Sequence, residues 1–339
     1  MSAAGLFISI TKDDMLSTFQ TILLKNGFRS DKALKCAEIF TASSVDGIYT
    51  HGVNRFGKFV EYVQNGYVKP GAEPSLKNKS GNIEQWDGNL GPGPLNAAFA
   101  TEQAMQLAAG SGIGCVALSN TNHWMRGGTY GWQAAKKGFV FIGFTNTIAN
   151  MPAWGAMDKR LGNNPLVIAI PFADEAIVLD MAMSQYSFGA MELAKMKNEK
   201  LASNGGYDRE GILTNDPAAI IESGRLLPAG LWKGAGLSLL LDMLAALLSG
   251  GLATHRISSK EMEYASQVFI AIDISKFNSQ STIMQVIQDI LTDYRQSVPV
   301  EDKSRIVYPG QRVMETRERN LQDGIPVLRE IWQAILTLR

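Results

Sequence analysis

The first third of the chain spaces its apolar residues with the period of an α-helix. Four of them recur every three or four residues and share one helical face: Met15, Phe19, Ile22 and Leu23. Thr11 and Asp14 just before them resemble a capping box, and Gly27 follows them. The pattern therefore predicts a helix between Thr11 and Gly27.

Two further helices are predicted before residue 67. Ser30 is a suitable N-cap for a helix that runs to about Asp46, where Gly47 stops it. A third helix starts near Val53 and ends before Gly66. His51 therefore lies at or just before a helix N-terminus.

The central part alternates helix-like and strand-like patterns. A Pro-, Gly- and Lys-rich stretch at 69–82 is typical of a linker. The predicted helices are Leu95–Ala109 and a short one from Tyr130, and the predicted strands are Ile113–Leu118, Val140–Thr145, Leu166–Pro171, Ile177–Met181 and Gln267–Asp273. The strands Leu166–Pro171 and Ile177–Met181 are separated by Phe-Ala-Asp-Glu and are predicted to form a hairpin. Helical crossovers together with a hairpin predict an α/β fold with a mixed sheet.

The remaining segments are predicted from length and polarity. Asn198–Gly236 is polar and rich in Gly and Pro, which is typical of a binding loop. Leu237–Leu248 is the most apolar run; it is shorter than the ~20 residues that cross a bilayer, so we expect a buried helix. Helical patterns follow at Thr282–Tyr294 and Asp323–Leu338.

Composition excludes several classes of protein. The 339 residues carry 32 basic and 32 acidic side chains, which gives no bulk charge for binding nucleic acid or an anionic membrane. Cys36 and Cys115 are too few for a disulfide framework or a zinc site, and we expect them to be free and buried. The first ten residues lack the features of a signal peptide, so a cytoplasmic location is expected.

Two of the three histidines lie in segments that suggest proton transfer. His51 is preceded by Thr50 and followed one turn later by Arg55. Reduction of a ketone needs a proton for the developing alkoxide and a cation for a substrate carboxylate. His51 could supply the first and Arg55 the second, with Thr50 orienting the imidazole or bonding a substrate oxygen. Thr50 and His51 could equally do no more than cap the helix.

The second histidine, His123, follows a predicted strand and precedes Arg126. Strand ends in α/β sheets are where ligands gather, and Arg126 also suits a carboxylate. A half-buried structural role for His123 stays open. Asp180 ends the run Ile-Val-Leu-Asp, and we expect a partly buried carboxylate that aligns a histidine or bonds backbone amides. No metal site is predicted, because no third histidine or paired carboxylate stands at ligand spacing.

A cofactor site is harder to find in the sequence. The Gly-x-Gly-x-x-Gly fingerprint of Rossmann domains is absent in usable context. Gly234-Ala-Gly236 opens the apolar helix after Trp232-Lys233, so it could bind a phosphate or form a close-packed turn. From these residues alone the close-packed turn is favoured.

Five blocks of sequence together resemble the malate/L-lactate dehydrogenase family of non-Rossmann oxidoreductases. They are Thr-His-Gly-Val-Asn-Arg-Phe at 50–56, Ile-Glu-Gln-Trp-Asp at 83–87, Asn-His-Trp-Met-Arg-Gly-Gly-Thr-Tyr-Gly-Trp-Gln-Ala-Ala at 122–135, Gly-Asn-Asn-Pro-Leu at 162–166 and Leu-Trp-Lys-Gly-Ala-Gly at 231–236. The resemblance runs from about Thr11 to the end of the chain. The block at 122–135 is far more specific than any glycine pattern.

The resemblance implies an architecture and a set of site residues. It implies a homodimer whose subunit joins a helical domain from both chain ends (1–80 and 282–339) to a central α/β domain (81–281). His51 would be the proton donor. The residue chemistry described above adds Thr50, Arg55 and His123 as neighbours of a small sugar-acid substrate, and Asp180 as a possible catalytic partner of a histidine. The cofactor NAD would contact Ala176, Ile177, Val178, Leu179, Asp180, Met181, Ala182, Trp232, Lys233, Gly310, Gln311 and Arg312.

Some positions depart from the family's usual pattern. Thr50 replaces a common serine and keeps its hydroxyl group. Gln311-Arg312 replaces a His-Glu pair, and losing an acid while gaining an arginine could admit a 2′-phosphate. The choice between NAD and NADP therefore stays open from these residues; the resemblance favours NADH as the cofactor, with NADPH possible.

Three alternatives to a sugar-acid reductase remain at this point. Another 2-oxo acid, such as oxaloacetate, pyruvate or a cyclic imino acid, could be reduced on the same scaffold. His51 and His123 could instead be the acid/base pair of a cofactor-free lyase or isomerase. The chain could also bind a sugar acid without catalysis.

Overall fold

The structure is a computed structural model that describes residues 6–257, 264–300 and 305–339. Its helices are α1 (Lys12–Lys25), α2 (Ser30–Val45), α3 (Val53–Gln64), α4 (Gly93–Ser111), α5 (Gly128–Ala135), α6 (Phe188–Met196), α7 (Pro217–Ser223), α8 (Trp232–Ser249), α9 (Gln280–Arg295), α10 (Gln311–Asp323) and α11 (Arg329–Leu336). Its strands are β1 (Phe7–Ile10), β2 (Ser75–Ser80), β3 (Ile83–Asp87), β4 (Ile113–Thr121), β5 (Phe139–Thr145), β6 (Met151–Pro152), β7 (Lys159–Leu161), β8 (Leu166–Phe172), β9 (Glu175–Met181), β10 (Gly206–Tyr207), β11 (Leu213–Thr214), β12 (Arg225–Leu226), β13 (Ala265–Asp273) and β14 (Ile325–Leu328).

The central layer is a seven-stranded sheet in the order β2-β3-β4-β13-β5-β8-β9. β3 and β4 run parallel, while the other neighbouring pairs are antiparallel. The late strand β13 inserts between β4 and β5, so distant parts of the chain must meet to complete the sheet. The predicted mixed α/β fold is confirmed, and β9 forms one edge of the sheet.

A separate helical core joins the two ends of the chain. It packs aromatic and aliphatic side chains of α1, α2 and α3 against β14 and α11. Phe19 and Phe56 stack with ring centroids 3.9 Å apart at its centre. β1 pairs with β14 along the whole strand, from Phe7 opposite Leu328 to Ile10 opposite Ile325. The division of the chain at 80/81 and 281/282 stays a prediction.

The first three helices follow the predicted pattern closely. The hydroxyl group of Thr11 accepts a hydrogen bond from the Asp14 amide at 3.1 Å, as the capping box requires. The proposed cap at Ser30 is wrong, because Arg29 occupies the N-cap and Ser30 is already helical. The N-terminal residues 1–5 lie outside the described part of the chain.

Three other segments differ from their predictions. The 69–82 stretch is not a plain linker, since Ser75–Ser80 forms β2 through backbone pairing with β3. The 198–236 segment is not structureless: it forms a small three-stranded sheet, the helix α7 and the beginning of α8. The helix expected at 323–338 is interrupted because residues 325–328 pair with β1 before α11 starts.

The apolar helix α8 is not buried as predicted. Its small residues face the protein, with Gly234, Ala235 and Ser238 buried. Leu241 is buried with them, but most of its leucines face outward, and Leu240 is 56% and Leu247 76% exposed. Among the described residues, α8 is the one helix whose length and composition would suit a membrane span, and 33% of it is buried. One such helix is weak evidence for a span.

Candidate active site

His51 ends a tight 3₁₀ turn, Tyr49–His51, directly before α3. The turn is attached to α2, because the Val53 amide donates to the Ser44 hydroxyl at 2.8 Å. Gly52 fits there without a side chain, since a β-carbon would lie 2.3 Å from Ser44 Oγ. Thr50 Oγ1 lies 3.1 Å from His51 Nδ1 and holds that nitrogen. The free Nε2 is the nitrogen left to exchange a proton.

His123 is fixed by its own loop, with its ring beside His51. The Met125 amide donates to His123 Nδ1 at 2.9 Å, so the neutral ring carries its proton on Nε2. The two imidazole rings are nearly parallel, 15° apart, with centroids separated by 5.8 Å. The structure thus brings together the two histidines that are 72 residues apart in the sequence.

The surroundings disfavour a positive charge on both rings. Burial, followed by the neighbouring His123, lowers the pKa of His51 to about 4, while the Asp180 carboxylate opposes that shift. Burial and then the Arg55 charge lower the pKa of His123 to about 3. Both rings are therefore neutral near pH 7 before a ligand binds.

Arg55 and Arg126, the two cations expected to suit a carboxylate, have different surroundings. Arg55 is half-buried, and its guanidinium group makes no hydrogen bond or ion pair with any described residue, yet its charge lowers the pKa of both histidines. Arg126 is buried in an ion pair with Asp46. Arg317 of α10 also pairs with Asp46, at 2.6 Å. Arg55 can therefore accept an anion, whereas Arg126 already has its carboxylate.

Asp180 lies near the end of β9, and its residue is exposed rather than partly buried as expected. Its Oδ2 accepts a hydrogen bond of 2.7 Å from the amide of Gly128, at the N-terminus of α5. No hydrogen bond joins it to His51 in the described part of the chain. Of the two interactions predicted for Asp180, the structure shows the bond to a backbone amide. Its influence on His51 is electrostatic.

The segments expected to bind the cofactor lie against one another. The amide of Val178 in β9 donates to the Pro309 carbonyl at 3.2 Å, which places Gly310 beside the strand. A β-carbon at Gly310 would lie 3.1 Å from that amide nitrogen. At the other end of the segment, the Ala229 amide donates to the Met183 carbonyl at 2.8 Å. Trp232, three residues later, is 64% exposed.

Several buried polar atoms around this segment have no partner among the described residues. They are Thr129 Oγ1, Trp132 Nε1 and Gln311 Oε1. Thr129 follows Gly128, which contacts Asp180, and a Cβ added at Gly310 would lie 3.6 Å from the Trp132 ring. Unpaired buried polar atoms are costly, so their concentration beside β9 fits a site for a polar ligand.

Three other residues near the site carried no recognisable sequence signal. Asp46 pairs with Arg126 and Arg317 and connects α2 to the loop before α5 and to α10. Gln267, in β13, lines a small cavity with His123, and its Oε1 has no partner among the described residues. Gly189 of α6 lies against Thr50. Each role depends on contacts between distant segments, which local sequence patterns do not show.

Comparison with known proteins identifies the family. Residues 10–336 match the profile of the malate/L-lactate dehydrogenase family. The 2,3-diketo-L-gulonate reductase of Klebsiella pneumoniae (strain 342) is 41% identical over 333 residues, covering 98% of this chain and 100% of that protein. The chain therefore belongs to the malate/L-lactate dehydrogenase family, and it is an oxidoreductase.

Solved structures share the whole fold. The malate dehydrogenase of Pyrococcus horikoshii OT3 superposes with a TM-score of 0.89 at 27% identity, covering 98% of this chain and 94% of that one. The sulfolactate dehydrogenase of Methanocaldococcus jannaschii gives 0.89 at 26% identity, with 98% and 96% covered. The non-Rossmann fold expected from the sequence is confirmed. Membership of a dehydrogenase family implies a nicotinamide cofactor.

Proposed function

We propose that this enzyme reduces the 2-keto group of 2,3-diketo-L-gulonate to an alcohol, giving 3-dehydro-L-gulonate, with NAD(P)H as the reductant. The full-length similarity to a 2,3-diketo-L-gulonate reductase supports this substrate. So does the block at 122–135, which resembles that subgroup more than the malate or lactate enzymes. A cofactor-free lyase or isomerase is disfavoured by membership of the dehydrogenase family.

The observation that carries the proposal is the unpaired, half-buried guanidinium of Arg55 beside two neutral histidines. A guanidinium group presents two parallel donors that match a carboxylate. Arg55 would bind the substrate carboxylate and so bring the neighbouring 2-keto group to His51. The bound negative charge would also raise the pKa of His51, because Arg55 helps to lower it in the free enzyme.

His51 would donate the proton to the new alkoxide. When bound, the nicotinamide supplies a hydride to the 2-keto carbon. In the protonated ring, Nδ1–H donates to Thr50 Oγ1 and Nε2–H faces the substrate oxygen. After transfer Nδ1 keeps its proton, so the bond to Thr50 survives and Nε2 is the only nitrogen that changes state. General acid catalysis of this kind is worth about 10²- to 10⁴-fold in rate.

His123 and Asp180 would assist without exchanging protons. Since His123 Nδ1 is occupied by the Met125 amide, its Nε2–H is a neutral donor for a substrate carbonyl or hydroxyl oxygen. Asp180 would stabilise the protonated form of His51 by its charge. It would also fix the N-terminus of α5 beside the cofactor segment through Gly128.

We propose that NADH is the preferred reductant, held by Ala176–Ala182, Trp232–Lys233 and Gly310–Arg312. The unpartnered atoms of Thr129, Trp132 and Gln311 support a polar ligand at this place. Arg312 is exposed and forms no ion pair with a described residue, so it could accept a 2′-phosphate and permit NADPH. Kinetics with both reductants, on the wild type and on Arg312→Glu, would measure this preference.

The substrate proposal is tested by a panel of 2-oxo acids. NADH oxidation would be followed at matched concentrations of 2,3-diketo-L-gulonate, oxaloacetate, pyruvate and a cyclic imino acid. We expect kcat/KM for the diketo acid to exceed the others by at least tenfold. Equal values for oxaloacetate and the diketo acid would overturn the substrate assignment but leave the family's chemistry in place.

We further propose that the enzyme is a homodimer in the cytoplasm, with the outward leucines of α8 at the subunit interface. These side chains form an apolar stripe along one helix: Leu237, Leu240, Leu244 and Leu247. Contiguous exposed apolar surface of this kind marks an interaction site. The proposed division into a helical domain (1–80 and 282–339) and an α/β domain (81–281) is supported by the separate helical core.

A further inference from the structure

Gly189, the second residue of α6, is in direct contact with the turn that carries His51. A β-carbon added to Gly189 would lie 2.3 Å from Thr50 Cγ2 and 2.6 Å from Thr50 Cβ. Non-bonded carbon atoms attract at about 3.5–4.0 Å, so both separations are strongly repulsive. Any side chain at 189 must therefore displace either α6 or Thr50.

Thr50 connects this contact to His51. Its hydroxyl group lies 3.1 Å from His51 Nδ1. The ring of His123 lies nearly parallel to that of His51, with the two ring centroids 5.8 Å apart. The Cγ2 of Thr50, which faces Gly189, and the hydroxyl group share one carbon atom. A rotation of Thr50 away from α6 would therefore also move the hydroxyl group away from Nδ1.

We infer that Gly189 is a positioning residue for His51, acting through Thr50: the missing side chain lets α6 hold the Thr50 hydroxyl at Nδ1, so that Nε2 points to the substrate. The inference rests on the proposed role of His51 as proton donor. Gly189 would touch neither the substrate nor the reacting atoms. Its effect is on alignment, and a misplacement of about 1 Å can cost about 10²-fold in rate.

The test is a double-mutant cycle with kinetics. Gly189→Ala should lower kcat by at least about tenfold while the KM for NADH stays within about twofold, because alignment is lost and not cofactor binding. Thr50→Ser keeps the hydroxyl but removes Cγ2, the closest atom. Combined with Gly189→Ala it should recover part of kcat, at least threefold over Gly189→Ala alone. Gly57→Ala in α3 is the matched control, since a β-carbon there meets no atom within 4 Å.

A second readout does not depend on substrate. With three histidines in the chain, ring ¹⁵N spectra of the free enzyme can follow the tautomer of His51, assigned with His51→Gln. Gly189→Ala should change the His51 nitrogen shifts, and the double variant should restore them towards the wild type. If the spectra behave so but His51→Gln keeps full activity, the contact is right and the proton-donor role is wrong.

Three results would overturn the inference. One is a Gly189→Ala enzyme with unchanged kcat and unchanged His51 spectra. The second is a double variant no better than Gly189→Ala in both readouts. The third covers misfolding: if Gly189→Ala fails to fold alone and also together with Thr50→Gly, which removes both clashing carbon atoms, position 189 requires glycine for a reason other than Thr50.

Discussion

The imidazole rings of His51 and His123 lie 5.8 Å apart and only 15° from parallel. Two positive charges at that separation in a half-buried site repel, so at most one ring can be protonated. The Met125 amide occupies Nδ1 of His123 and keeps that ring neutral. This asymmetry supports the proposal that His51, and not His123, gives up the proton.

The rate of reduction should depend on pH in a defined direction. Burial and His123 lower the pKa of His51 to about 4 in the free enzyme. Reduction needs the protonated ring, so kcat/KM should fall up to tenfold per pH unit as pH rises above that pKa. The profile of kcat should be displaced to higher pH, because the bound carboxylate raises the pKa. In the oxidation direction kcat/KM should instead be level above the same pKa.

Profiles between about pH 5 and 9, measured in both directions, check this prediction. A kcat/KM for reduction that is constant or rises with pH over that range would contradict it. His255→Gln, a change at an exposed histidine, provides the control and should leave both profiles unchanged.

Arg55→Ala should weaken substrate binding. The variant loses charge-assisted hydrogen bonds, each worth about 1.5–3 kcal/mol, so kcat/KM should fall roughly 10²-fold or more. Arg55→Lys should recover only part, since lysine restores the charge without the two-pronged geometry. Steady-state kinetics measure the effect. Arg29→Ala, at an exposed arginine on the surface, is the control. An unchanged KM for the keto acid in Arg55→Ala would show that Arg55 does not bind the substrate.

Asp46→Asn should destabilise the fold much more than a surface change. Asp46 is buried between Arg126 and Arg317. Neutralising it leaves the buried Arg126 without a carboxylate, while Arg317 keeps only its pair with Glu175. Breaking a buried ion pair costs about 3–5 kcal/mol of the free energy of unfolding. Urea denaturation would measure this loss. The matched change Asp31→Asn, in an exposed pair with Arg29, should cost no more than about 1 kcal/mol, and equal losses would show that the Asp46 cluster is not structural.

Changes to the apolar stripe of α8 should alter the oligomeric state. Leu240→Glu with Leu244→Glu puts two charges on the outward face without touching the buried face of the helix. We expect the wild type to sediment as a dimer and the variant as a monomer. Leu24→Glu, at an exposed leucine of α1, should stay dimeric. A wild-type monomer, or a variant dimer of unchanged stability, would exclude this face as the interface.

The sequence correctly predicted the helices and strands that depend on a local pattern of residues. It did not predict those that depend on pairing with distant segments. The helix α1 follows from its apolar spacing and the Thr11 cap, and the β8–β9 hairpin from two apolar runs around a polar turn. Polar β2, by contrast, is a strand because β3 supplies its backbone partners. The outward leucines of α8 have the composition of a core helix, so composition alone cannot show which face is covered.

The same distinction applies to the site. His51, Arg55 and His123 could be selected because a proton donor and a cation in short loops have recognisable chemistry. The ion-pair partner of Arg126 could not be predicted from the sequence, since Asp46 lies 80 residues away. The sequence predicted that Asp180 could bond a backbone amide, and the structure confirms that bond, but it could not show that the amide is that of Gly128 in another element. Contacts of this kind become visible only when the segments are assembled.

The most direct test of the central claim is the activity of His51→Gln with 2,3-diketo-L-gulonate and NADH. Circular dichroism would establish that the variant is folded, and the fluorescence of bound NADH would show that its cofactor affinity is within about twofold of the wild type. We expect kcat for reduction then to fall by roughly 10²-fold or more, because the proton donor is gone. A folded, cofactor-binding variant that reduces the keto acid at the wild-type rate would contradict it.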